Sequence, residues 1–136
     1  MESTSSDGRI HAIDSCIILR FLLQDIPEQA QKAKNLILNG HDFYVDGVAI
    51  MEAVHVMTRD KWPRHNIAEY ILGLLRNPAF IWDRDFFEPI FAEYLTHPSL
   101  SFDDLVLAKR IRQKGYTPLW TFDRKLANQS ETAKLL

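Results

Sequence analysis

Cysteine is almost missing from this chain. Cys16 is the only one in 136 residues, so no internal disulfide forms and a reducing, cytoplasmic setting is expected. Its place in the run Ser15-Cys16-Ile17-Ile18-Leu19 makes a small buried core residue the expectation for the thiol. Long apolar runs are lacking as well. Nothing approaches the roughly 20 residues that a membrane-spanning helix needs, so no membrane partner is expected. Met1 to Gly8, MESTSSDG, has neither the basic region nor the apolar stretch of a secretory signal. A mobile tail over 1–8 and one domain over 9–136 are expected. Charge of one sign is not in excess either: the net charge is −2. That is weak evidence against a protein that coats nucleic acid by its overall field, and says little about an enzyme with local positive charge. The histidines, His11, His41, His55, His65 and His97, are not at zinc-ligand spacing.

What is present is ordinary for a globular fold: 46% apolar and 25% charged residues. This length is enough to bury about two thirds of the unfolded surface. Arg9 to Ile13 reads as a strand ending at Asp14, followed by a helix over Ser15 to Gln24 with Ile18, Leu19, Leu22 and Leu23 apolar. Pro27 suits the first turn of a second helix that stops near Gly40. Phe43 to Val45 is a strand, and Asp46 a cap for a helix from Gly47 to about Lys61. Pro63 opens a helical stretch over Ile67 to Arg76, which Asn77-Pro78 breaks. Ala79 to Trp82 is a third strand, and Asp83 caps a helix over Arg84 to Thr96. Ser101 caps a helix from Phe102 to Lys114, and Gly115 ends it. Thr117 to Phe122 makes a strand leading to Asp123, and Arg124 to Leu136 is partly helical. Alternating strands and helices imply a parallel sheet covered on both faces: an α/β, three-layer α/β/α sandwich with a mainly parallel sheet of four or five strands.

Within that pattern Asp14, Glu52, Asp103 and Asp123 each fall where an apolar segment ends or a helix begins. In open parallel sheets, sites form beyond the carboxyl ends of the strands. Unit charges about 4 Å apart repel by roughly 4 kcal/mol at an effective dielectric near 20. Carboxylates gathered at one rim therefore call for a hard cation such as Mg²⁺ or Mn²⁺. Each residue alone also has a plain reading. Asp14 and Asp123 cap helices, Asp103 is a first-turn acid beside Ser101, and Glu52 is a solvated acid on an amphipathic helix. Trp62, Trp82 and Trp120 are expected in the core or at an interface rather than as base-stacking platforms.

Three segments then carry a resemblance: Ile13-Asp14-Ser15-Cys16-Ile17-Ile18-Leu19-Arg20, Ser101-Phe102-Asp103-Asp104-Leu105-Val106-Leu107-Ala108, and Thr121-Phe122-Asp123-Arg124-Lys125-Leu126-Ala127. With Glu52 in Ile50-Met51-Glu52-Ala53-Val54 between them, the chain resembles the PIN domain from Arg9 to Ala127. Within that family it looks like the VapC-type ribonuclease toxins. The resemblance implies that Asp14, Glu52, Asp103 and Asp123 bind Mg²⁺ or Mn²⁺, with Thr121 orienting a water or phosphate. It implies hydrolysis of RNA to 5′-phosphate and 3′-hydroxyl ends, a homodimer and a cognate antitoxin. Asp104 competes with Asp103 for the third position. Cys16 departs from the pattern, because many relatives carry Asn there and a thiol is a poor hydrogen-bonding substitute. Arg20, Lys109, Arg110, Arg112, Arg124 and Lys125 are candidate guides for an RNA backbone, and a solvated helix face is the plain reading for Lys109 to Lys114. A housekeeping PIN-type ribonuclease without antitoxin and a non-catalytic PIN-like scaffold that binds RNA or protein remain the alternatives.

Overall fold

The computed structural model describes residues 8–136; the tail expected over 1–8 lies, apart from Gly8, outside the described residues. The chain divides into two compact units, the first closing at Arg84 and the second spanning Asp85–Leu136. In the first unit β1 (His11–Ile13), β2 (Phe43–Val45) and β3 (Phe80–Ile81) form a parallel sheet in that order. His11 pairs with Phe43 and Ile13 with Val45, while Phe43 pairs with Phe80 and Tyr44 with Ile81. Parallel neighbours need long crossovers. Here α1 (Ser15–Leu23) and α2 (Pro27–Ile37) join β1 to β2. Likewise α3 (Gly47–Arg59) and α4 (Arg64–Leu75) join β2 to β3.

Local chemistry sets these boundaries. Asp14 Oδ1 accepts from the Ile17 N–H at 3.2 Å, and Asp46 Oδ2 from the Val48 N–H at 3.0 Å, satisfying donors that the first turns of α1 and α3 leave open. Pro27 stands at the start of α2, where its missing N–H costs nothing. On α1 the buried residues are Ser15, Ile18 and Leu19, one stripe at helical spacing. Cys16 falls off that stripe and is exposed, so the core role expected of it is corrected. Packing of α1 on α2 and α3, and of α3 on α4, closes the layer around Ile50, Ala53, Val54, Met57, Ile67 and Ile71.

The second unit contains α5 (Arg84–Thr96, from the boundary residue onward), α6 (Phe102–Lys114), β4 (Leu119–Thr121), α7 (Arg124–Gln129) and β5 (Ala133–Leu135). Phe102 anchors its core. Its ring stacks on Phe87 at 6.3 Å and meets Phe91 at 4.8 Å and Tyr94 at 5.5 Å. Ser101 caps α6 and Gly115 closes it in the left-handed region at φ 77°. β4 pairs in parallel with β5, Trp120 opposite Lys134. Ala133-Lys134-Leu135 was expected only as part of a partly helical end; it becomes a strand because β4 offers it a ladder.

Among the described residues the fold is thus mixed α/β with parallel pairing throughout. Its hydrogen-bonded strands make a three-stranded and a two-stranded sheet rather than one ladder of four or five. Trp120 is 54% exposed, so of the core and interface placements expected for it the core is ruled out.

Helix α5 holds Pro89 in its interior. Proline has no N–H, so the carbonyl of Asp85, four residues back, lacks its helical partner. Lys109 Nζ reaches that carbonyl at 3.4 Å and the Phe86 carbonyl at 2.6 Å, with its ammonium 4.8 Å from the Phe86 ring centroid. A cation that the sequence offered as an RNA guide is thereby a structural donor. Lys109→Met is expected to destabilise the protein by about 1.5–3 kcal/mol in chemical denaturation. The same change in a Pro89→Ala background should cost less; equal costs in both backgrounds would show that Pro89 does not create the demand.

Candidate functional site

Two carboxylates of the first unit meet at the start of α1. Asp14 directly follows β1, is exposed, and spends Oδ1 on capping α1. Glu52 is exposed on α3 while its neighbours Ile50, Ala53 and Val54 are buried, so the acid faces solvent rather than an apolar surround. Ser15, itself buried, donates its Oγ–H to Glu52 Oε1 at 3.3 Å. That bond joins the first residue of α1 to α3 and puts Glu52 beside the turn that Asp14 caps. Ser15 was not singled out from the sequence. The available signal was a hydroxyl next to Asp14 on the stripe that α1 buries.

The same rim carries two acids expected only as caps. Asp46 directly follows β2 and Asp83 lies shortly beyond β3. Tyr44 donates its phenolic O–H to Asp46 Oδ1 at 2.8 Å. Its pKa is raised, first by that hydrogen bond, then by partial loss of solvation, then by the charges of Asp46 and Asp83. Carboxylates therefore follow all three neighbouring parallel strands.

In the second unit Thr121 Oγ1 accepts from the Asp123 N–H at 2.9 Å. Asp123 Oδ1 in turn accepts from the Lys125 and Leu126 N–H groups at 2.9 and 3.1 Å. Thr121 thus fixes the turn that presents Asp123. Asp103 is exposed in the first turn of α6, whereas Asp104 is half-buried, its N–H bonded to the capping Ser101 Oγ at 3.1 Å. Of the candidate RNA contacts, Arg20 is held by Gln29 at 2.7 Å and Asp25 at 3.4 Å. Arg112 donates to Thr132 Oγ1 at 3.2 Å, and Arg110 lies 4.9 Å from the Phe86 ring centroid. Arg124 and Lys125 are exposed at the start of α7.

Among the described residues, no three His, Cys, Asp or Glu side chains gather closely enough to hold a metal ion. The donor chemistry itself suits Mg²⁺ or Mn²⁺. Mg²⁺ keeps several waters and takes one or two carboxylates from a protein rather than a full cage. Asp14 and Glu52 each place one oxygen in a protein hydrogen bond; among the described residues the other oxygen of each accepts none. No protein-family model, curated protein or solved structure matches this chain.

The cap and the charge of Asp14 are separable. Asn caps as well as Asp, whereas Ala loses about 1 kcal/mol. Asp14→Asn should therefore melt close to the parent and Asp14→Ala clearly below it; equal losses would deny the cap. Tyr44 supplies a pH test. A raised folded-state pKa means that its contribution is full below the ordinary phenol value of about 10 and fades as pH rises through the folded value. In a spectrophotometric phenolate titration Asp46→Asn should move one tyrosine to lower pH. An unchanged curve would reject the Tyr44–Asp46 coupling.

Proposed function

We propose that the protein is a metal-dependent endoribonuclease of the PIN type, hydrolysing RNA phosphodiester bonds with Mg²⁺ or Mn²⁺. The observation that carries this reading is the Ser15–Glu52 bond beside the Asp14 cap, which sets two carboxylates at the carboxyl edge of a parallel sheet. In its finer form the protein has the PIN-like three-layer sandwich and acts as the toxin of a toxin–antitoxin pair. A cognate antitoxin and a homodimer belong to that form.

A bound divalent ion supplies an activated water and offsets phosphoryl charge. The chain's own groups supply the rest. Asp14, Glu52, Asp103 and Asp123 present hard oxygen donors. Ser15 holds Glu52 in one orientation, and Thr121 holds the backbone from which Asp123 projects. Arg124 and Lys125, exposed next to Asp123, offer cations to the phosphates that flank the scissile bond.

A non-catalytic scaffold is the second reading, and one observation favours it. Cys16 stands exposed in the first turn of α1, where the resemblance calls for a stronger hydrogen-bonding side chain.

The test is cleavage of a mixed RNA pool with Mg²⁺ or Mn²⁺ and with EDTA. Cutting is expected only with metal, and Asp14→Asn and Glu52→Gln should abolish it. Ser15→Ala, which removes only the support of Glu52, should lower the rate by about 10- to 100-fold, and Ser15→Thr should restore most of it. Unchanged cutting by Asp14→Asn would overturn the assignment. Absence of both cutting and metal binding would favour the scaffold.

A further inference from the structure

We infer that Trp120 on the outer face of the β4–β5 sheet, with Phe122 exposed in the bend that follows β4, forms a binding surface for single-stranded RNA whose bases stack on the two rings. The inference deepens the nuclease reading and rests on it for the identity of the strand.

Accessibility alternates along this segment. Leu119 and Thr121 are half-buried, while Trp120 is 54% and Phe122 78% exposed. Side chains of a strand point alternately to its two faces, so the exposed residue of β4 belongs to the face opposite the one that carries Leu119 and Thr121. Register then places Lys134 of β5 directly beside Trp120. The Lys134 ammonium lies 5.4 Å from the Trp120 ring centroid. Large aromatic groups left in water next to a cation are the pairing that binds single-stranded nucleic acid. The ring stacks on any base, and the cation follows the backbone.

Charge decides between occupants. Lys134 stands beside Trp120 in register, and the exposed Arg124 and Lys125 closely follow Phe122 in the chain. A second copy laid on this face by a two-fold axis would bring like cations together. A polyanion meets them with opposite charge. Phe122 also directly precedes Asp123, so a strand stacked here leads its backbone to one of the proposed catalytic carboxylates. Bases in a duplex are already stacked on one another, so the face selects unpaired RNA.

The experiment is fluorescence anisotropy with a labelled oligouridylate in EDTA, which reads binding without cleavage. Trp120→Ala and Phe122→Ala are each expected to weaken binding by about 5- to 100-fold. Trp120→Phe should retain most of the affinity, and a fully paired RNA duplex should compete poorly. Lys134→Ala should flatten the salt dependence. Both side chains are exposed, so the alanine variants are expected to keep the parent's melting temperature. Parent-like affinity in both alanine variants would overturn the proposal. So would a parent dimer that Trp120→Ala dissociates, since a second copy would then cover the face. Parent-like binding by both alanine variants, with metal-dependent cleavage by the parent, would reject this surface and leave the nuclease standing. Aromatic-dependent binding without any cleavage would do the reverse.

Discussion

Parallel strands cannot be joined by a tight turn, and most features of this molecule follow from that constraint. Each strand of the first sheet must hand the chain to a helix at its carboxyl end, and a helix begins with N–H groups that need an acceptor. Asp14 and Asp46 meet that need directly after β1 and β2. Asp123 does the same after β4 in the second unit. A cap requires one carboxylate oxygen. At Asp14 and Asp123 the charge and the second oxygen remain at the strand end, whereas the second oxygen of Asp46 accepts from Tyr44. Capping by Asp14 and the functional role proposed for it are therefore compatible uses of one side chain.

Polar groups placed by the fold then divide into those it consumes and those it leaves over. Lys109 is taken up by the carbonyls of the first turn of α5, one of them left without its helical partner by Pro89. Arg20 is committed to Gln29 and Asp25, and Arg112 to Thr132. Arg124 and Lys125 lie exposed beside the turn that Thr121 and Asp123 build. Consumption by structure is a sharper guide to function than charge alone, because a cation held by backbone carbonyls gives up part of its capacity to meet a phosphate.

Hydroxyl groups do the quiet positioning. Ser15 is buried yet directs its proton to an exposed carboxylate, and Thr121 accepts from the backbone of the residue it supports. Neither carries charge, so neither adds to nor neutralises the charge of the acid it supports. Both reduce the freedom of the groups they hold, which lowers the ordering cost of any ligand that uses those groups.

The order of residues alone determined where most elements start and stop. Asp14, Asp46, Ser101 and Asp123 as caps, Pro27 at a first turn, and Gly115 past the end of α6 were all legible, because each acts on backbone within about four positions. Parallel α/β character was legible for the same reason, since it follows from alternation of elements. Only the tertiary structure decided the rest. Cys16 and Ile18 share one apolar run, and only the packing of α1 separates the exposed thiol from the buried isoleucine. Ala133-Lys134-Leu135 carries no strong strand signal until β4 lies beside it. Ser15 meets Glu52 across 37 positions and Lys109 meets Asp85 across 24. Such contacts leave no periodic trace in the chain, because their partners become neighbours only after the helices have packed.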